Sequence, residues 1–112
     1  MLNRRVKGRK AEKECQALLE KAGWAVLLTD MPHKWKLDQD FYNLFDLIAR
    51  KGKYIKYVQV KSNRMIGKKA RQKYIDWGDE YPNPYQTIEV WVRLDNKSEK
   101  ERWDAHILWC KE

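Results

Sequence analysis

Asp46 is the residue whose presence most needs a chemical reason. It stands between Phe45 and Leu47-Ile48-Ala49, in a stretch that otherwise reads as a strand, where aspartate is disfavoured. A carboxylate retained in such a place more often has a function than a structural role. The following strand carries Val58-Gln59-Val60-Lys61, which sets an amide and an ammonium two residues apart. In the first helix Glu12 lies one turn from Cys15 and two from Leu19, at the margin of the apolar stripe, whereas Glu14 and Glu20 fall on more polar faces. Taken singly, Glu12 reads equally well as a surface residue paired with Arg9, and Lys61 as a strand-ending lysine reaching for solvent. Taken together, carboxylates and an ammonium beside a core require compensation, and a divalent cation supplies it. Oxygen ligands from Glu12, Asp46, the Gln59 amide and the Val60 carbonyl suit a hard ion such as Mg²⁺ or Mn²⁺, which keeps water in its open positions. Such an ion polarises a scissile phosphate and acidifies water, while Lys61 orients that water or stabilises charge developing at phosphorus.

The elements that must position these side chains follow from periodicity. In residues 7–22, Ala11, Cys15, Leu18 and Ala22 recur at helical spacing, and Gly23 is placed to end the helix. Residues 24–29 form a short apolar run of strand type, and the polar, aromatic-rich residues 30–43 have the character of a loop. Residues 44–49 and 54–61 read as two strands joined through Arg50, Lys51, Gly52 and Lys53, with Gly52 taking a positive φ. If Ala49 faces Tyr54, then Asp46 lies opposite Tyr57 and diagonal to Gln59, and Lys61 shares that face because side chains alternate with period 2. A three-residue turn would break this parity. Ile66, Ala70, Tyr74, Trp77 and Tyr81 form a second helical stripe that Pro82 and Pro84 terminate. Residues 88–94 and 103–110 alternate as two further strands, so the predicted order is helix, three strands, helix, two strands.

The chain has 112 residues, enough for one core and too few for two, so residues 1–112 are expected to form a single domain. Hydrophobic residues make up 43% of it, with six Trp and six Tyr, which indicates a globular rather than a disordered protein. Positive charge is concentrated: residues 1–73 hold 19 of the 24 Lys and Arg but only 7 of the 16 Asp and Glu. That distribution favours a polyanion held through phosphate contacts, and solubility alone is the plainer alternative. Arg4, Arg5, Arg9 and Lys10 precede Glu12, and Lys68, Lys69 and Arg71 follow the Gln-x-Lys strand, so both groups are expected to flank the site and position phosphates without reading bases. Cys15 and Cys110 lack the spacing of a zinc site or disulfide framework and are expected to be buried thiols in a reducing compartment. With no signal-peptide core and no apolar run of membrane length, a cytoplasmic protein with no membrane partner is expected.

Over about its first 65 residues the chain resembles the PD-(D/E)XK nuclease superfamily, and within it the archaeal Holliday-junction resolvases and the small VRR-Nuc nucleases. The residues that carry the resemblance are Gly8-Arg9-Lys10-Ala11-Glu12, Phe45-Asp46-Leu47-Ile48-Ala49 and Val58-Gln59-Val60-Lys61-Ser62. Phe45 replaces the motif proline with little chemical consequence. Gln59 replaces the usual acid and removes one negative charge, so weaker metal binding is expected. The resemblance implies an α/β fold with a mixed central β-sheet flanked by helices, restriction-endonuclease-like with an αβββαβ core. It further implies that Glu12 and Asp46 bind metal, that Gln59 occupies the third ligand position and that Lys61 is catalytic. In the resolvases it implies a homodimer that cuts branched DNA.

His33-Lys34-Trp35-Lys36 mixes cations with an aromatic in the loop beside the site, where Lys34 and Lys36 would contact DNA and Trp35 would stack on a base or pack at the core. His33 and His106 have no evident partner and read as ordinary histidines, and Tyr74, Trp77 and Tyr81 as core or dimer interface. The expected activity is Mg²⁺-dependent hydrolysis of phosphodiester bonds, with branched or structured DNA as the leading substrate and restriction or repair cleavage as the nearest alternative. A nucleic-acid-binding module that keeps the fold but has lost turnover is the alternative outside the enzymes, with Gln59 as its sign.

Overall fold

A computed structural model describes residues 4–28, 45–98 and 100–111, and within them all side chains except those of residues 4–9 and 28. The elements run α1 (Arg4–Lys21), β1 (Ala25–Leu28), β2 (Leu47–Lys51), β3 (Tyr54–Ser62), α2 (Lys68–Glu80), β4 (Gln86–Arg93) and β5 (Trp103–Cys110), in the order expected. The five strands form one sheet in sequence order. It is mixed: β3 and β4 are parallel, and the other three neighbouring pairs are antiparallel. A parallel pair needs a crossover, and α2 provides it between β3 and β4. The expected loop at residues 30–43, including His33, Lys34, Trp35 and Lys36, lies outside the described residues.

Strand alternation divides the core into two layers. Val58 and Val60 of β3, with Leu47 and Ala49 of β2, pack against Ala11, Cys15 and Leu19 of α1. On the opposite face Ile88 of β4 packs with Phe45 and with Tyr74 of α2, and Tyr57, Trp77, Leu108 and Trp109 close around them. β4 lies between these layers and is buried along most of its length. It buries Glu89 to 3% exposure, which is tolerable because the carboxylate is fully engaged. Lys56 Nζ donates to it at 2.7 Å, Thr87 Oγ1 at 2.5 Å and Trp91 Nε1 at 3.0 Å.

Two glycines work as expected. Gly23, at φ +96°, ends α1: its N–H bonds to the Glu20 carbonyl and the Trp24 N–H to that of Leu19, the left-handed cap that only a residue without Cβ adopts cheaply. Lys51 Nζ then takes the Ala22 carbonyl at 2.9 Å, tying the hairpin to the helix end. Gly52, at φ +61°, turns β2 into β3.

The register differs from expectation. Lys51 pairs with Tyr54 and Ala49 with Lys56, because the turn is the two residues Gly52-Lys53 and β2 runs on to Lys51. The Asp46 N–H bonds to the carbonyl of Val58, the residue that Leu47 already faces, so the ladder turns irregular at Asp46 and does not set it opposite Tyr57. A shift of two residues keeps every side chain on its face. One smaller expectation fails. Cys110 is exposed, since it closes the edge strand β5, and only Cys15 is buried. Glu14, expected on a more polar face of α1, is half-buried there and ion-paired with Arg93 and Arg102. Among the described residues, no helix is long and apolar enough to cross a membrane.

Candidate active site

The site lies where β3 outruns β2. Pairing with β2 covers β3 as far as Val58, whereas pairing with β4 continues to Ser62. Along a strand the N–H and C=O of alternate residues point the same way, so the backbone of Val60 is directed to the side that β2 has vacated. Asp46, just before β2, fills that gap. Its N–H donates to the Val58 carbonyl at 2.9 Å, and its Oδ2 accepts the Val60 N–H at 2.9 Å. The carboxylate thus stands in for the missing strand, with the Val60 carbonyl directed the same way.

Of the other groups, Glu12 and Lys61 act on Asp46 directly. Glu12 comes from α1, half-buried, and hydrogen-bonds to Asp46. Gln59 lies half-buried on the face toward α2, where the Tyr74 hydroxyl donates to its Oε1 at 3.2 Å. Lys61 is exposed, and its charge acts on Asp46. Burial raises the Asp46 carboxyl above the usual carboxylate range, and the Val60 N–H, the Glu12 contact and the Lys61 charge offset this only in part. Two carboxyl groups can hydrogen-bond to each other only while one holds a proton. A cation between them would take the place of that proton.

The surroundings favour oxygen chemistry. The Cys15 thiol is pushed well up by burial and by the negative charges of Glu89, Asp46 and Glu12, so it stays protonated beneath the site. Tyr74 is pushed up to about 12, first by burial and then by Asp46, and remains a hydroxyl donor. Among the described residues no three His, Cys, Asp or Glu side chains come together as metal ligands. The set expected from the sequence, the Glu12 and Asp46 carboxylates with the Gln59 amide oxygen and the Val60 carbonyl, would suit a hard divalent ion at a lower negative charge than a three-acid site.

The basic residues are less gathered. Lys68, Lys69 and Arg71 are exposed in the first turn of α2, at the same end of the sheet as Lys61. Lys10 is exposed, and its charge helps hold the Glu14 carboxyl low, after the larger effects of Arg93 and Arg102. Arg4, Arg5 and Arg9 lie in α1, with side chains outside the described residues. Lys34 and Lys36 lie outside them altogether.

Two features were not foreseen. Tyr74, read as core, reaches the site with its hydroxyl, and a stripe position alone does not show where a phenol tip ends. Beyond the site, Arg93 of β4 bonds both Glu14 of α1 and Asp95. Asp95 in turn exchanges hydrogen bonds of 2.9 Å with Asn63, the non-glycine residue at positive φ that follows β3. This network joins residues two positions beyond Glu12 and two beyond Lys61.

No protein-family model and no curated protein matches the chain. Among solved structures it is similar to Hjc of Archaeoglobus fulgidus, a Holliday junction resolvase from an archaeal hyperthermophile, with 15% identity and a TM-score of 0.62 over 91% of this chain and 73% of that one. At that identity the likeness is one of architecture: the chain has the mixed sheet and flanking helices of that resolvase.

Proposed function

We propose that the chain is a metal-dependent endonuclease acting on DNA, with Glu12, Asp46, Gln59 and Lys61 at its active site. What supports this reading is the gap beside β3, where the Asp46 carboxyl accepts the Val60 N–H and meets the Glu12 carboxyl, a pair that a cation would neutralise. Asp46, Glu12, Gln59 and Val60 would hold Mg²⁺ or Mn²⁺, which when bound supplies Lewis-acid polarisation of a phosphodiester. The Val60 N–H fixes one oxygen of the Asp46 carboxylate, and the cation would take the place of the Glu12 hydrogen bond. Lys61, exposed and within electrostatic reach of Asp46, orients the attacking water and stabilises charge on the phosphate oxygens. The water oxygen forms the new bond to phosphorus, the bridging P–O bond breaks, and the departing oxygen takes a proton.

Branched DNA is the leading substrate, because the similar structure is that of a Holliday junction resolvase. A homodimer, which would place two such sites on one junction, belongs to the same proposal. Lys68, Lys69 and Arg71 would hold phosphates next to Lys61, with Lys10 and the arginines of α1 on the other flank. The test is incubation with labelled four-way junction, flap, duplex and single-stranded DNA, with and without Mg²⁺. The wild-type protein should cut the junction only with metal. Asp46→Ala and Lys61→Ala should abolish cleavage while retaining the fold and DNA affinity. Binding without cleavage by the wild-type protein would favour instead a DNA-binding module, with the neutral Gln59 as the site of the lost activity.

A further inference from the structure

We propose that Tyr74 is a positioning residue for Gln59, its hydroxyl anchoring the amide oxygen at a place within electrostatic reach of Asp46. The inference rests on the reading of Gln59 as a metal ligand and concerns what an amide needs at that position. A carboxylate offers two equivalent oxygens and needs no orientation. An amide has one oxygen and one nitrogen of nearly the same shape, and only the oxygen can hold a hard cation. A glutamine in this position therefore gains from a partner that holds its oxygen in place.

Tyr74 has the geometry of that partner. Its hydroxyl donates to Gln59 Oε1 at 3.2 Å, which leaves a second lone pair on the same oxygen for a cation. The phenol is itself held in place, because Tyr74 is only 7% exposed and its ring packs against Phe45 at 5.6 Å between centroids. Phe45 is fully buried and precedes Asp46 directly, so one aromatic side chain supports both the amide and the segment that carries the carboxylate. Phe45 also meets Trp77 at 5.1 Å, one turn further along α2, which fixes the helix at this point. In this arrangement the hydroxyl recovers by orientation part of what the missing acid would supply by charge.

A double-mutant cycle on metal binding tests this. Mn²⁺ alone is titrated calorimetrically into wild type, Tyr74→Phe, Gln59→Glu, the double variant Gln59→Glu/Tyr74→Phe, and Gln59→Ala, with the melting temperature of each metal-free protein as a check on folding. Tyr74→Phe should weaken Mn²⁺ binding about fivefold, the net worth of one neutral hydrogen bond. In the Gln59→Glu background the same change should leave affinity within about twofold, because a carboxylate needs no such orientation. Equal weakening in both backgrounds would show a packing effect and overturn the proposal, as would unchanged binding by Tyr74→Phe. Failure of the underlying reading looks different: Gln59→Ala would then bind Mn²⁺ as wild type does, and both fall together.

Discussion

Replacing Asp46 by asparagine removes a charge and keeps the shape, which makes it a direct probe of what the site stores. The amide oxygen can still accept the Val60 N–H that now reaches Asp46 at 2.9 Å, and the amide nitrogen can donate to Glu12. Burial raises the Asp46 carboxyl above its ordinary 3.8, so the folded protein holds this proton more tightly than the unfolded chain does. Stability from this group is therefore whole below the unfolded value and is lost as pH rises through the folded one. Once that proton is lost, the metal-free protein carries the cost of a poorly solvated carboxylate, which at a half-buried, hydrogen-bonded position amounts to about 1–3 kcal/mol. For a domain of this length each kcal/mol moves the melting midpoint by about 4 °C, so Asp46→Asn should melt about 4–12 °C above wild type in EDTA. Mn²⁺ at a hundredfold excess over its Kd should stabilise wild type by about 2.7 kcal/mol and the variant far less. Thermal melts near pH ~7.5 and ~3.5, with EDTA or Mn²⁺, read all of this, and the gap between the proteins should close at the lower pH. An asparagine variant that melts below wild type in EDTA at neutral pH, or equal Mn²⁺ shifts for both proteins, would refute the buried-charge argument.

Two further outcomes follow from the packing and the charge. A Cβ at Gly78 would lie 2.5 Å from Trp109 Cγ, and the indole cannot retreat without giving up its 2.9 Å bond to Asp79. Gly78→Ala should accordingly cost about 1–3 kcal/mol in urea unfolding, and an unchanged midpoint would mean that α2 does not rest on β5 as described. Lys68→Glu/Lys69→Glu should weaken binding to every DNA sequence alike and flatten its salt dependence by about 0.9 for each phosphate no longer held. A filter-binding series with an unaltered slope would leave the start of α2 as solubility surface.

How much of this was legible depends on whether a property is local or set by distant chain. Periodicity located the two helices and five strands of the described residues, because the apolar spacing of Ala11 and Cys15, or of Val58 and Val60, is written in consecutive residues. That Gln59 and Lys61 share one face of β3 was legible for the same reason. The partner of Asp46 was not, since it depends on whether the turn holds two residues or four, and Arg50-Lys51-Gly52-Lys53 permits both. The ion pair between Glu14 and Arg93 joins residues 79 positions apart, and no local pattern announces it. The hydroxyl of Tyr74 was hidden by the success of the stripe, which sends the ring to the core and says nothing about the tip. The site itself belongs to both categories. Its residue types are local, yet Asp46 can take the Val60 N–H only because β2 begins at Leu47 while β3 continues to Ser62. A β2 that began one pair earlier would bond that N–H with backbone and leave the carboxylate no place in the ladder. On the proposed reading the chemistry therefore rests on where a neighbouring strand stops, and Asp46→Asn changes the charge in that gap without closing it.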